Sequence, residues 1–305
     1  MSKLTGITKD QIKPWFAQPL KISASPNSTF NVAQITDCHL MIDNELYEGV
    51  NSLKHLHLVL QSIAARTWDL VVVTGDITQD HTLESYRLLS DACAQYLPDT
   101  PVSWLPGNHD DLEQLNQVFD SPPMVANKHI IIDFNQPQSN KRWHLLLLNS
   151  KGPTPSGLIT DEHIKELEQT LLAIGKDEMV GLFCHHHPLP VNGYIDKHIL
   201  TNGKQLIDLL AQFPQVRSLA HGHVHQQVDN FITSSSGGFH LWATPATSIQ
   251  FKPNSRLKGN DDKGPAFRQF QFRPDGQVDS SVVWLESPKP LTESTEQGLK
   301  VELEN

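Results

Sequence analysis

Cysteine is scarce: the chain of 305 residues holds only Cys38, Cys93 and Cys184, with no C-x-x-C pair. That odd, sparse count excludes a disulfide-stapled scaffold and suits a reducing cytoplasm. No apolar stretch approaches the length that spans a bilayer, and the N-terminal region lacks the apolar core of a signal peptide. Lys/Arg-rich runs are missing too, and acidic residues outnumber Lys plus Arg, 34 to 24, for a formal charge of −10. Such an average field repels a polyanion, so a small molecule is the expected partner, not a nucleic acid or a membrane. There is no internal repeat and no low-complexity tract. The hydrophobic share, 38 %, is ordinary for a globular chain able to bury a sizeable core. Against these absences stand 16 histidines, whose positions carry the reading below.

Apolar runs alternate with helical periods through the first two thirds. Strands are predicted at Phe30 to Ile35, Leu70 to Thr74, Val102 to Leu105, Ile130 to Phe134, Trp143 to Leu148, Met179 to Cys184 and Val216 to Ala220. Helices are predicted from Leu53 to Ala64, Leu83 to Leu97, after an N-cap at Thr160, and around Leu206 to Phe213. From Gln226 onward strands dominate, at Val228 to Ile232, Phe239 to Ala243, Phe267 to Phe272 and Val278 to Trp284, with Ser234 to Gly238 as a hairpin connection. The pattern predicts an α/β protein of two packed sheets with helices outside. Residues 1–30 are taken as an N-terminal extension, in which Trp15, Phe16 and Leu20 are able to dock on the body or a partner. Residues 31–286 form the domain, and 287–305 a polar tail.

Five short clusters each follow a buried strand: Asp37-Cys38-His39, Gly75-Asp76, Gly107-Asn108-His109-Asp110, His185-His186-His187 and Gly222-His223-Val224-His225. A lone histidine at a strand end is ordinarily a hydrogen-bonded loop residue; five such clusters in one chain are not explained that way. Ligands gather at the carboxyl ends of strands in α/β sheets, so five ends adjacent in one sheet would bring the clusters to one rim. Asp and His suit Fe, Mn and Zn. In an extended stretch Asp37 and His39 leave the same face, as do His223 and His225, while Cys38 points the other way and is expected to pack. Glycines 75, 107 and 222 permit sharp turns and close backbone approach.

The order D-x-H, G-D, G-N-H-D, strand-then-His and G-H-x-H resembles the calcineurin-like metallophosphoesterases. The segments QITDCHL (34–40), VVTGD (72–76), WLPGNHD (104–110), HHHPLP (185–190), GHVHQ (222–226) and ATPATSIQFKP (243–253) resemble the class III 3′,5′-cyclic-AMP phosphodiesterases among them. The resemblance implies a four-layer αββα sandwich of two mixed β-sheets flanked by helices. It also implies a centre of two divalent metal ions, with Fe and Mn favoured and Zn allowed. By the same resemblance Asp37, His39 and His225 hold one ion, Asn108, His185 and His223 the other, and Asp76 bridges them. His39, Asp76, Asn108, His109 and His225 contact the substrate. His186 is expected to pack and His187 to line the wall.

The implied reaction is hydrolysis of cyclic AMP to 5′-AMP by a hydroxide shared between two metals about 3.5–4 Å apart. His109 serves as general acid, with Asp80 or Asp110 to orient its ring. Two dications less two carboxylates leave a positive surplus suited to a phosphodiester anion. Another small phosphodiester, such as a glycerophosphodiester or a 2′,3′-cyclic nucleotide, would use the same ligands. A non-catalytic metal-binding scaffold is the reading from a different class. A protein phosphatase is disfavoured because Ile77-Thr78-Gln79-Asp80 lacks an arginine. Lys252 and Arg256 are expected to be exposed.

Overall fold

The computed structural model describes residues 14–43, 45–135, 142–235 and 237–287. In chain order its elements begin with β1 (Leu20–Ser23), β2 (Phe30–Ile35), α1 (Ser52–Ala64), β3 (Leu70–Thr74), α2 (Leu83–Tyr96), β4 (Val102–Leu105) and α3 (Leu112–Val118). There follow β5 (Met124–Val125), β6 (His129–Asp133), β7 (Arg142–Leu147), α4 (Asp161–Ala173), β8 (Met179–Cys184), α5 (Gly203–Leu210) and β9 (Val216–His221). The chain ends in strands: β10 (Val228–Ser234), β11 (Gly237–Ala243), β12 (Gln250–Phe251), β13 (Asn260–Asp261), β14 (Ala266–Phe272) and β15 (Val278–Trp284).

The strands form a six-stranded sheet, ordered β15-β14-β2-β3-β4-β5, and a seven-stranded sheet, ordered β1-β6-β7-β8-β9-β11-β10. Period-2 alternation explains how they stack. In β3, Val71 and Val73 pack with α1 and α2, while Leu70 and Val72 face the other way and meet Trp143, Leu145, Phe183 and Phe270. The seven-stranded sheet turns Leu146, Leu182 and Leu219 outward onto Leu167 and Leu171 of α4 and Leu206 and Leu210 of α5. Apolar residues on both faces of the central strands thus generate three cores: helix on sheet, sheet on sheet, and sheet on helix. This is the four-layer α/β sandwich expected from the sequence. Side-chain caps start four helices, at Asn51, Thr82, Asp111 and Thr160, the last accepting from His163 N as anticipated.

Part of the segment taken as an N-terminal extension is built into this body. Leu20–Ser23 pairs parallel with β6 at the edge of the seven-stranded sheet. Trp15 Nε1 donates to Leu147 O (2.6 Å), and Phe16, 6 % exposed, donates its N–H to Glu166 (2.8 Å). A four-residue strand of alternating half-buried and exposed residues leaves too little apolar signal to be seen in sequence. Residues 1–13 and the tail from 288 lie outside the described residues. No helix among the described residues is long and apolar enough to cross a membrane.

Candidate metal centre

The five clusters do meet, but they come from two sheets. Strands β2, β3 and β4 run parallel in one sheet and β8 and β9 run parallel in the other. Their carboxyl ends face a common seam. A single rim was expected because sequence periodicity does not say which strands share a sheet.

The backbone at the clusters also departs from the extended form assumed from the sequence. Asp37 (φ 52°), His39 (φ 45°), Asp76 (φ 50°), His223 (φ 68°) and His225 (φ 51°) all occupy the left-handed region. Each such non-glycine residue costs roughly 1 kcal/mol or more, a cost that concentrates at functional sites. Tight loop-to-loop bonds hold the strain: Asp37 N donates to Gly75 O (2.9 Å), His39 N to Asp76 O (3.0 Å) and Gly222 N to His185 O (3.1 Å). The glycines permit this approach. A Cβ at Gly107 would overlap the Asp76 carboxylate, and one at Gly222 would overlap Thr36 and Asp37. Cys38 packs among Ala33 and Ile35 as expected, and all three cysteines are free and buried.

Seven side chains converge. His39 Nε2 lies 3.2 Å from His225 Nε2, which is 3.3 Å from Asp37 Oδ1. His185 Nε2 lies 3.2 Å from Asn108 Oδ1 and 3.1 Å from His223 Nδ1. Asp76 Oδ2 sits between the two groups, 3.3 Å from His185 Nε2 and 3.8 Å from His39 Nε2. All but Asn108, which is partly exposed, are buried.

The far sides of the rings fix the tautomers. His39 Nδ1 meets Gln79 Oε1 (2.9 Å), His185 Nδ1 meets Thr74 O (2.7 Å) and His225 Nδ1 meets Ile249 O (2.7 Å). Carbonyl oxygens only accept, so each Nδ1 carries a proton, and the neutral ring presents an Nε2 lone pair to the centre; His185 differs, for against its burial the Asp76 carboxylate beside it pushes the ring up to about 9. Two lone pairs 3.2 Å apart, on His39 and His225, repel unless a cation lies between them. Asp37 Oδ1 and His223 Nε2 are buried without hydrogen-bond partners. Burial alone would raise the Asp76 carboxyl, but His185 beside it holds it well below the usual range. Such clusters of buried carboxylates and imidazoles, with ligand atoms within 4.8 Å of one another, could hold metal ions.

His109 stands at the edge of the cluster. Its N–H donates to Asp76 Oδ1 (2.9 Å), and its ring meets the His39 ring edge-on at 5.0 Å. Neither carboxylate expected to orient that ring does so. Asp110 accepts from Gly107, Ile77 and Thr78 N–H groups, and Asp80 accepts from Ile42, Thr78, Thr82 and Ser85. His109 Nδ1 is buried without a partner. His186 bonds Ser150 Oγ (2.9 Å) and His187 bonds Asp196 (3.2 Å), but both rings pack on His223, at 4.6 and 5.4 Å, and His186 has a ring nitrogen within 4.8 Å of those of His185 and His223.

A cavity of about 430 Å³ opens over the centre, its walls including Tyr47, Tyr194, Phe251, His81 and Lys258. Tyr47 stacks on His39 (4.5 Å) and Phe251 on His225 (4.0 Å). Lys252 and Arg256 are exposed and do not line it. Sequence reasoning missed Gln79, Tyr47, Phe251 and His81. Gln79 and His81 sit within five residues of Asp76 and Phe251 lies within the segment 243–253, so signals were available for them; Tyr47 gave none.

A model of the calcineurin-like phosphoesterase family matches residues 30–227. The chain is 39 % identical to a probable cyclic nucleotide phosphodiesterase of Pseudoalteromonas sp. (strain SM9913), over 83 % of this chain and 93 % of that one. It is 33 % identical to the 3′,5′-cyclic adenosine monophosphate phosphodiesterase CpdA of Haemophilus influenzae, over 87 % and 93 %. The corresponding Escherichia coli K12 protein is 30 % identical over 92 % and 98 %. Among solved structures, a dimetal phosphatase from Danio rerio shares the fold at 16 % identity, with a TM-score of 0.55 over 83 % of this chain and 99 % of that one. With the matched segment containing every converging side chain, the chain belongs to the calcineurin-like phosphoesterase family.

Proposed function

We propose that this protein is a dinuclear-metal phosphodiesterase that hydrolyses 3′,5′-cyclic AMP to 5′-AMP. The observation that carries the reading is the close pair of imidazole Nε2 atoms of His39 and His225 beside the buried Asp76 carboxylate, an arrangement that suits cations. Asp37, His39 and His225 would hold one ion and Asn108, His185 and His223 the other, with Asp76 shared. Fe, Mn and Zn all suit these donors. Two divalent ions held there supply Lewis acidity, bringing water toward deprotonation near neutral pH and neutralising phosphate charge.

The chain's own residues do the rest. Hydrolysis adds a water oxygen to phosphorus and breaks the P–O3′ bond, and the leaving O3′ takes a proton. His109, whose backbone N–H donates to Asp76 and which lines the cavity, would give it. His39, Asp76, Asn108 and His225 border the place of the phosphate. The aromatic walls at Tyr47, Tyr194 and Phe251 suit a planar base, and this favours a cyclic nucleotide over a glycerophosphodiester. Relatives named as cyclic-nucleotide or cyclic-AMP phosphodiesterases support the same substrate. Three buried free cysteines accord with a cytoplasmic location.

Metal analysis of the purified protein, joined to rates on 3′,5′-cyclic AMP, 2′,3′-cyclic AMP and a glycerophosphodiester, tests the proposal. About two ions per chain and preferential release of 5′-AMP are expected. A metal-loaded protein inert toward every phosphodiester would instead be a binding scaffold.

A further inference from the structure

The proton donor proposed above, His109, has a buried Nδ1 without a hydrogen-bond partner, yet its segment is held on every side. Asp76 Oδ1 accepts from His109 N (2.9 Å), and Asp110 Oδ2 accepts from Gly107 N (2.9 Å). Lys151 Nζ donates to Asn108 O (2.9 Å), and His81 Nδ1 bonds His109 O (2.8 Å). The His81 and His109 rings lie parallel, 3° apart in plane and 5.7 Å between centroids. His109 therefore sits between the edge of His39 and the face of His81, and both His81 and His109 line the cavity.

Packing does not explain His81. It is exposed, and it occupies the left-handed region at φ 60°, uncommon for a non-glycine residue although histidine enters it more readily than most. The preceding Asp80 accepts from Thr78, Thr82, Ser85 and Ile42, and so pins the turn that presents the ring. A strained, solvent-facing histidine anchored by a rigid turn onto one backbone carbonyl is a device for holding what that carbonyl belongs to. We propose that His81 is a positioning residue: by donating Nδ1–H to His109 O and stacking on its ring, it fixes the direction in which His109 presents its proton. The consequence for turnover rests on the reading of His109 as proton donor.

The test uses His81→Gly, which relieves the backbone strain and removes the ring, and His81→Asn, which tolerates the same backbone and keeps a donor near the Nδ1 position. In the full-length, metal-loaded protein, His81→Gly should lower kcat about tenfold, the usual scale for a group that orients a catalytic one, with KM changed less than about twofold. His81→Asn should recover part of the loss. Placed in a His109→Ala background, His81→Gly should change nothing further, since the residue it orients is gone. A loss of equal size in both backgrounds, or none in either, overturns the proposal. A second readout does not depend on turnover: in the metal-free protein, the imidazole ¹H–¹⁵N signals of His109 should broaden or shift in His81→Gly. Unchanged signals would also overturn it. If the parent protein hydrolyses no phosphodiester, the functional reading fails, and the imidazole signals still decide the role of His81.

Discussion

Asp80 gathers donors from both sides of its turn: Thr78 Oγ1, Thr82 N and Oγ1 and Ser85 Oγ on one oxygen, Ile42 N on the other. Burial works against the charge, but these bonds, led by Ser85, bring the carboxyl down to about 2. A folded value below the unfolded one near 3.9 means the charge stabilises above pH 4 and that this contribution disappears as pH falls through the folded value. Asp80→Asn should cost about 1–2 kcal/mol at neutral pH, the range of a lost charge-assisted cap. Urea unfolding at a series of pH values should show the gap between variant and parent closing on acidification toward pH 2. At the same scale, His109→Ala should retain both ions and lose turnover by about 10²–10³-fold, measured by metal content and kcat together. The side chains that converge were legible in the sequence because few residue types suit such metals. What orients His109 was not, since His81 meets it through space from 28 residues away.

Elements were legible wherever a run of apolar residues was long enough. Leu70–Thr74 and Met179–Cys184 are strands with the ends expected for them. Two-residue β5, β12 and β13 and the short helix α3 left no period to read. The turns after the strands were misjudged as extended because a strand's alternation was carried past its end, into residues that positive φ bends sharply. Gly222 shows how closely those turns interlock, for a methyl there would strike Thr36 Oγ1 and the Asp37 carboxylate. Gly222→Ala should destabilise the fold by about 1–3 kcal/mol, the range for overpacking, and displace Asp37. Thermal unfolding with metal analysis checks both; a variant of parental stability with a full complement of ions would contradict the interlock.

At the scale of the whole molecule, the layering followed from composition and periodicity, but the assignment of strands to sheets did not, nor did the attachment of the N-terminal segment through Trp15, Phe16 and β1. If the buried side chains hold ions as proposed, stability depends on metal concentration. At 100–1,000 times the dissociation constant, binding adds about 3–4 kcal/mol. Chelation should therefore lower the unfolding midpoint by roughly 5–15 °C, read by calorimetry before and after dialysis against a chelator.

A centre assembled half from one sheet and half from the other works as a rivet through a seam. Neither half alone completes either set of donors with its shared carboxylate, since Asp37, His39, Asp76 and Asn108 arrive on β2, β3 and β4 while His185, His223 and His225 arrive on β8 and β9. If ions are held as proposed, their capture would need both layers docked, and once seated they would clasp the layers in one register. Competence for chemistry would then require correct assembly.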